Sequence, residues 1–199
     1  MQLSFRAIAH EYVPGVPLFS PVWADIGPGS VTVLSGPSGS GKSTLLGIAA
    51  GQITPTSGTI ETTPGNSFWV FQNPFGVARR TALEHVALPY LAQGDRRPRA
   101  QARAHGLLRQ FGLAECADAY FHELSGGQAQ RVMMARAVAT GRDLLLVDEP
   151  TAQLDSRSAQ EVVNVLEHLA GAGRTVLVAT HDERILRSTD TIISVRPPA

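Results

Sequence analysis

Gly36-Pro37-Ser38-Gly39-Ser40-Gly41-Lys42-Ser43 fits G-x-x-x-x-G-K-[ST], the pattern of a loop that wraps nucleotide phosphates. Before it, Ser30-Val31-Thr32-Val33-Leu34-Ser35 is apolar and β-branched, the texture of a short buried strand. After it, Thr44-Leu45-Leu46-Gly47-Ile48-Ala49-Ala50 reads as a helix that Gly51 closes. Strand, glycine-rich turn and helix is the context the pattern requires. The glycines let successive N–H groups turn inward and form a concave nest at a helix N-terminus. Lys42 then reaches the β- and γ-phosphates, and the Ser43 hydroxyl is placed to ligate Mg²⁺. The plainer alternative is a glycine-rich turn carrying a surface lysine. The flanking strand and helix argue against it.

The 199 residues suffice for one domain with a substantial core. Hydrophobic residues at 43% and charged residues at 17% are ordinary for a globular chain. Seventeen basic and seventeen acidic side chains cancel, which argues against a broad nucleic-acid footprint. The single cysteine, Cys116, excludes an internal disulfide framework and fits a reducing compartment. Met1-Gln2-Leu3-Ser4-Phe5-Arg6 lacks a charged segment followed by a long apolar one, so no signal peptide is expected. No apolar run approaches the roughly 20 residues that span a bilayer. Any membrane role is therefore expected to come through a separate partner.

Leu3 to His10 alternates apolar and polar residues, as a half-buried antiparallel strand does. Pro14-Gly15-Val16-Pro17 reads as a turn, and Val22 to Ile26 as a further strand ending at Gly27-Pro28-Gly29. Together they suggest a small antiparallel sheet over the nucleotide core. Thr54 to Gly58 is a turn, Thr59-Ile60-Glu61 a short strand, and Pro64-Gly65-Asn66 a turn before the buried strand Ser67-Phe68-Trp69-Val70-Phe71. Gln72 follows that strand's C-terminal end, the edge where open α/β sheets bind ligands. A Gln there suits Mg²⁺ ligation or water orientation; taken alone it is a loop residue. Tyr12 lies in the turn-rich segment before the phosphate loop. Its spacing serves equally for stacking on an adenine or for a half-buried sheet edge.

From Gly76 to Thr140 the texture is helical. Thr81 and Glu84 form a capping-box pair for a helix through Leu83, Val86, Ala87 and Leu88 that is expected to stop near Pro89. Arg96, Arg97, Arg99, Arg103 and Arg109 suggest a solvated face. His85, His105, His122 and His168 lack metal-ligand spacing. Ser125 then caps a helix opening Gly126-Gly127-Gln128 and continuing through Arg131, Val132, Met133, Ala135, Ala137 and Val138. Two glycines in a first turn cost about 1 kcal/mol each relative to Ala. A second anion site, with backbone open to close approach, would compensate.

Leu144-Leu145-Leu146-Val147 delivers Asp148-Glu149-Pro150 at a strand tip. Asp148 is placed to hold Mg²⁺, and Glu149 to polarise an attacking water as general base. Ser158 to Ala170 reads as an amphipathic helix stopped by Gly171-Ala172-Gly173. Thr175 to Ala179 is the next buried strand, and His181 stands at its end, on the edge that carries Gln72 and Glu149.

With these residues assembled, the chain resembles the nucleotide-binding subunits of ABC transporters. Leu124-Ser125-Gly126-Gly127-Gln128 matches the family's signature letter for letter. It stands after the loop of residues 36–43, which matches Walker A, and Gln72, and before Asp148-Glu149, which match Walker B, and His181. The resemblance implies an α/β fold: a P-loop NTPase core with a mostly parallel sheet, an N-terminal antiparallel β subdomain and an inserted α-helical subdomain. Residues 1–199 then form one ATPase domain, with 1–75 and 141–199 as core and antiparallel part and 76–140 as the helical signature subdomain. It further implies ATP and Mg²⁺ as ligands, with the nucleotide on residues 36–44, Thr44 included, and Tyr12 stacking on adenine. The metal goes to Ser43, Gln72 and Asp148, and catalysis to Lys42, Gln72, Glu149 and His181.

Two subunits would close head to tail around two ATP molecules, each also touched by Ser125, Gly126, Gly127 and Gln128 of the opposite copy. A separate transmembrane permease would dock on the Gln72 segment and the helical insert, holding the chain on the cytoplasmic face of the membrane. Thr81-Ala82-Leu83-Glu84-His85-Val86-Ala87-Leu88-Pro89 looks like the lipoprotein-release and macrolide-export group, which favours export over import. This chain departs from the family at Ala129, in a short Gly58–Gln72 segment, and at Gln153 of the D-loop stretch Ala152-Gln153-Leu154-Asp155. The competing class is a soluble ABC-type ATPase of repair, translation or assembly. Such repair enzymes carry a long coiled coil between the Walker motifs, and translation factors carry two ATPase domains; neither feature is here.

Overall fold

In the computed structural model, residues 3–63, 65–152, 154–189 and 191–198 are described. The elements in chain order are β1 (Leu3–Ala9), β2 (Glu11–Val13), β3 (Val16–Pro17), β4 (Val22–Ile26), β5 (Val31–Ser35), α1 (Lys42–Ala49), β6 (Ser57–Glu61) and β7 (Ser67–Val70). They continue with α2 (Ala82–Ala92), α3 (Arg97–Gln110), α4 (Gly126–Ala139), β8 (Leu144–Asp148), α5 (Ser156–Gly171), β9 (Thr175–Ala179), α6 (Glu183–Arg187) and β10 (Thr191–Ser194). The chain divides into two compact units, the first made of residues 1–69, 143–149 and 166–199, the second of 70–142 and 150–165.

In the first unit, the apolar runs pair into a five-stranded sheet of order β10-β5-β9-β8-β7. β10 with β5, β5 with β9 and β8 with β9 are parallel, so their C-terminal ends share one edge. The β8–β9 register sets Asp148 opposite Ala179, which brings the carboxylates and the residues after β9 to that edge. β8 and β9 are buried almost throughout, as expected of parallel strands covered on both faces. β7 corrects one expectation. It ends at Val70 and is half-buried at Ser67, Phe68 and Trp69, because it is the terminal strand of the sheet.

A second sheet, β4-β1-β6, is antiparallel. Leu3, Phe5, Ile8, Val22 and Ile26 from it share one core with Leu34, Leu45, Leu46, Ile48, Leu144, Leu146 and Leu177. The alternation read along β1 is broken. Its register shifts against both neighbours around Ala7, whose φ is +53°. An extra residue in a ladder produces such a bulge and re-aims the side chains beyond it. Val16 and Pro17, expected in a turn, instead form β3, which pairs with β2 across Pro14-Gly15. Pro64 of another expected turn lies outside the described residues.

The second unit packs α2 against α3 and α4. Thr81 and Glu84 make the expected capping box, with Thr81 Oγ1 accepting from the Glu84 N–H at 3.1 Å and Glu84 Oε2 from the Thr81 N–H at 3.0 Å. The expected stop near Pro89 is corrected, since α2 runs through it to Ala92. Proline removes the N–H that would reach the His85 carbonyl and crowds that carbonyl with its ring. Beyond it, Tyr90 is buried with the Arg103 guanidinium 3.9 Å above its ring, which holds the last turn in place. Arg99 and Arg103 both pair with Asp95 on the solvated face of α3.

Arg131 ties the unit together. It is 8% exposed, donates to the Phe111 and Gly112 carbonyls at 3.0 and 3.4 Å, and pairs with Glu161 at 2.8 Å. A buried guanidinium needs such complete pairing, because losing one partner leaves a desolvated charge.

His85 is buried with both ring nitrogens engaged. Nε2 accepts from the Val77 N–H at 2.9 Å, so Nδ1 carries the proton and donates to the Thr81 carbonyl at 2.8 Å. Burial pushes its pKa down, and the charges of Arg136 and Arg80 push the same way; the Thr81 carbonyl and Glu84 oppose them. A His with a depressed folded pKa takes up fewer protons than the unfolded chain as pH falls below about 6.5. Stability present above that pH is therefore lost on acidification. Thermal unfolding between pH 7.5 and pH 5 is expected to shift less in His85→Gln than in the parent. Equal pH slopes would contradict this.

Candidate functional site

The residues after β5 turn sharply into α1. Gly39 and Gly41 sit at φ +77° and +92°, conformations that cost other residues a Cβ clash. A Cβ at Gly36 would stand 2.4 Å from the Val195 carbonyl oxygen, so the loop lies hard against the strand end. α1 has no side-chain cap and no acidic residue in its first turn. Its leading N–H groups are left for an external acceptor. Lys42 is 8% exposed and folds its ammonium back on the Gly36 and Pro37 carbonyls at 2.9 and 3.0 Å. Two of its three hydrogens are thus used within the loop. Ser40 differs from its neighbours: its hydroxyl is buried beside Gly36, and its N–H closes a turn onto the Pro37 carbonyl. Its side chain serves the loop from beneath.

Next to the loop stand the ends of β8 and β9. The Ser43 hydroxyl lies near enough to the Asp148 carboxylate to favour its charged form. Burial pushes the Asp148 pKa up; Ser43 opposes that shift, the Glu149 charge adds to it, and the Lys42 charge counters it. A carboxylate and a hydroxyl side by side at a phosphate nest fit Mg²⁺, which takes one or two protein oxygens and fills its shell with phosphate and water. No group of three or more His, Cys, Asp or Glu that could hold a metal occurs among the described residues, so a closed protein cage is not on offer.

Glu149 has φ +40° and its N–H donates to the Ala179 carbonyl at 2.8 Å. Its carboxylate is gripped at both oxygens: Thr180 Oγ1 donates to Oε2 at 3.1 Å, and His181 Nδ1 lies 3.0 Å from Oε1. The His181 side chain is 78% exposed and the Glu149 side chain 15%. The pair therefore has one sheltered member and one open to solvent. Sequence reasoning misses Thr180. Its only signal is its place between the end of β9 and His181. Tyr12 is 65% exposed on the β2–β3 hairpin, with its hydroxyl 3.1 Å from that of Thr44.

The second unit holds the other expected residues. Gln72 is exposed and lines a small cavity of about 80 Å³ with Gly126, Gln130, Pro150 and Leu154. Ser125 and Gln128 cap α4 reciprocally. The Ser125 N–H donates to Gln128 Oε1 at 2.9 Å and the Gln128 N–H to Ser125 Oγ at 3.3 Å. The two glycines between them differ in kind. A Cβ on Gly127 would meet Ser158 Cβ at 2.7 Å, whereas one on Gly126 would meet only Leu154 Cδ2, at an ordinary 3.5 Å. Internal packing explains Gly127; only Gly126 is left for an outside visitor. Gln153 lies outside the described residues.

The fold is that of a P-loop ABC ATPase. Residues 19–152 match the family model described as ABC transporter, and the chain belongs to that family. It is 40% identical over 189 residues to an uncharacterized ABC transporter ATP-binding protein of Mycobacterium tuberculosis, covering 87% of this chain and 57% of the relative. It is 34% identical over 213 residues to the macrolide export ATP-binding/permease protein MacB of Bradyrhizobium diazoefficiens, covering 98% of this chain but 33% of the relative. The chain thus spans little more than half of the first relative and a third of the second. Among solved structures, it resembles the dimeric post-hydrolysis state of the ATP-binding cassette MJ0796 bound to ADP and Pi. That match has TM-score 0.83 and 30% identity, covering 98% and 94% of the two chains. It also resembles cbiO1 from Clostridium perfringens, part of the ABC transporter complex cbiONQ, with TM-score 0.88 and 25% identity, covering 99% and 86%.

Gly127→Ala opposes a helix-propensity gain of up to about 1 kcal/mol to an overpacking cost of roughly 1–3 kcal/mol against Ser158. A net loss of stability in thermal unfolding is expected, with recovery when Ser158→Gly is added. A stabilised single variant would refute the packing explanation.

Proposed function

We propose that residues 1–199 work as one ATP-binding and ATP-hydrolysing domain that powers an ABC transporter through a separate membrane permease. The observation that carries this reading is the juxtaposition, within one unit, of the Lys42 phosphate loop and the Glu149 carboxylate held by Thr180 and His181. The loop from Gly36 to Thr44 wraps the phosphates, and Tyr12 stacks on the adenine. Glu149 accepts a proton from the attacking water as its oxygen bonds the γ-phosphorus and the β–γ bridge breaks toward ADP. Thr180 fixes one oxygen of that carboxylate, and His181 steadies the other and faces the γ-phosphate. Ser43 and Asp148, with Gln72 as the further expected ligand, would hold Mg²⁺, which would supply charge neutralisation to the phosphates.

Two copies close head to tail, with Ser125 to Gln128 of each completing the site of the other. The dimeric solved relative supports a dimer, and the open approach at Gly126 fits the head-to-tail arrangement. Export rather than import is favoured by the relatives named for macrolide export. Among the described residues no helix is long and apolar enough to cross a membrane. On its family membership, we place the chain on the cytoplasmic face, carried by its permease, with no nucleic-acid partner.

Glu149→Gln tests the mechanism. Phosphate release is expected to fall by about 10²–10⁴-fold while ATP binding persists, the range for losing a general base. With saturating ATP and Mg²⁺ the variant is expected to run as a dimer in light scattering. A monomer that binds ATP under those conditions would overturn the head-to-tail mechanism.

A further inference from the structure

Tyr12 is held on three sides although most of it faces solvent. Its hairpin is braced: the Glu11 N–H donates to Thr56 Oγ1 at 2.9 Å, and Glu11 Oε2 accepts from the Gly15 N–H at 2.8 Å. The ring meets His10 edge-on, with centroids 4.6 Å apart and planes at 84°. His10 is itself 9% exposed, so the ring leans on a buried neighbour. The far end of Tyr12, its hydroxyl, reaches the Thr44 hydroxyl at 3.1 Å. Thr44 belongs to the first turn of α1, two residues past Lys42, and is 9% exposed.

A hydroxyl has one hydrogen to give and lone pairs to accept with. A phosphate oxygen in the nest only accepts. If Tyr12 donates to Thr44 Oγ1, the Thr44 hydrogen is free to point at phosphate. If Thr44 donates to Tyr12, that hydrogen is used up. An anion in the nest therefore selects the first arrangement, a chain of Tyr12 O–H, Thr44 O–H and phosphate oxygen in which each bond polarises the next.

We propose that the Tyr12 hydroxyl is a positioning group for phosphate binding: it donates to Thr44 Oγ1 and thereby aims the Thr44 hydroxyl hydrogen into the phosphate loop. The inference rests on the reading of residues 36–44 as a phosphate site. It gives Tyr12 two separable jobs. The ring face serves the base, and the hydroxyl serves the phosphates. Tyr12→Phe separates them, since phenylalanine keeps the face and loses only the hydroxyl.

The test is isothermal titration of the parent chain, Tyr12→Phe, Thr44→Val, Thr44→Ser and the corresponding double variants with Mg²⁺-ATP and with Mg²⁺-tripolyphosphate, which has no base. Tyr12→Phe is expected to raise the Kd for both ligands by about three- to tenfold, the range for one net hydrogen bond. In the Thr44→Val background the same change should have no further effect, and in Thr44→Ser, which keeps a hydroxyl, the sensitivity should return. Unchanged or tighter tripolyphosphate binding by Tyr12→Phe would overturn the relay, as would an equal effect of Tyr12→Phe with and without the Thr44 hydroxyl. A parent chain that binds neither ligand would overturn the phosphate site itself, and the relay with it. That result is distinguishable because no variant is then needed to see it.

Discussion

The ammonium of Lys42 bonded to the carbonyls of Gly36 and Pro37 is the constraint on which the site depends. Those two carbonyls open the turn whose later glycines reach positive φ. Pinning them from inside holds the loop curved around the ammonium. A cation so nearly buried needs its hydrogens satisfied, and bonds from a charged donor each contribute on the order of 2 kcal/mol. The loop thus stays preorganised for an anion. The third hydrogen of Lys42 and the uncapped first turn of α1 would supply the attraction.

The parallel sheet brings further candidate side chains to the same edge. The β8–β9 register sets Asp148 against Ala179. The next residues on each strand, Glu149 and Thr180, then meet through the carboxylate, with His181 closing on its other oxygen. Glu149 holds a backbone conformation unusual for a non-glycine residue, and its N–H is tied to the neighbouring strand end. Such strain persists only where the surroundings over-determine it, and here it points the carboxylate toward the Thr180 and His181 side chains.

Much of this was legible in the sequence because the decisive signals are local. The phosphate loop, the capping box at Thr81 and Glu84, the Ser125 cap and the carboxylates after Leu144 to Val147 each depend on a few adjacent residues. The features that were not legible depend on neighbours far along the chain. The bulge at Ala7 answers to two partner strands at once, and the partial exposure of β7 comes from its place at the end of the sheet order. Pro89 stays inside α2 because Tyr90 and Arg103, on different helices, hold the turn after it. Thr180 and the packing of Gly127 on Ser158 likewise need the folded chain to be seen.

Equilibrium titration of the parent chain with ATP, in the presence and absence of Mg²⁺, tests the central claim most directly. One molecule bound per chain is expected, with tighter binding when Mg²⁺ is present and loss of binding when Lys42 is replaced by Ala. Absence of saturable binding, or binding indifferent to both Mg²⁺ and Lys42, would contradict the assignment of this loop as a nucleotide phosphate site.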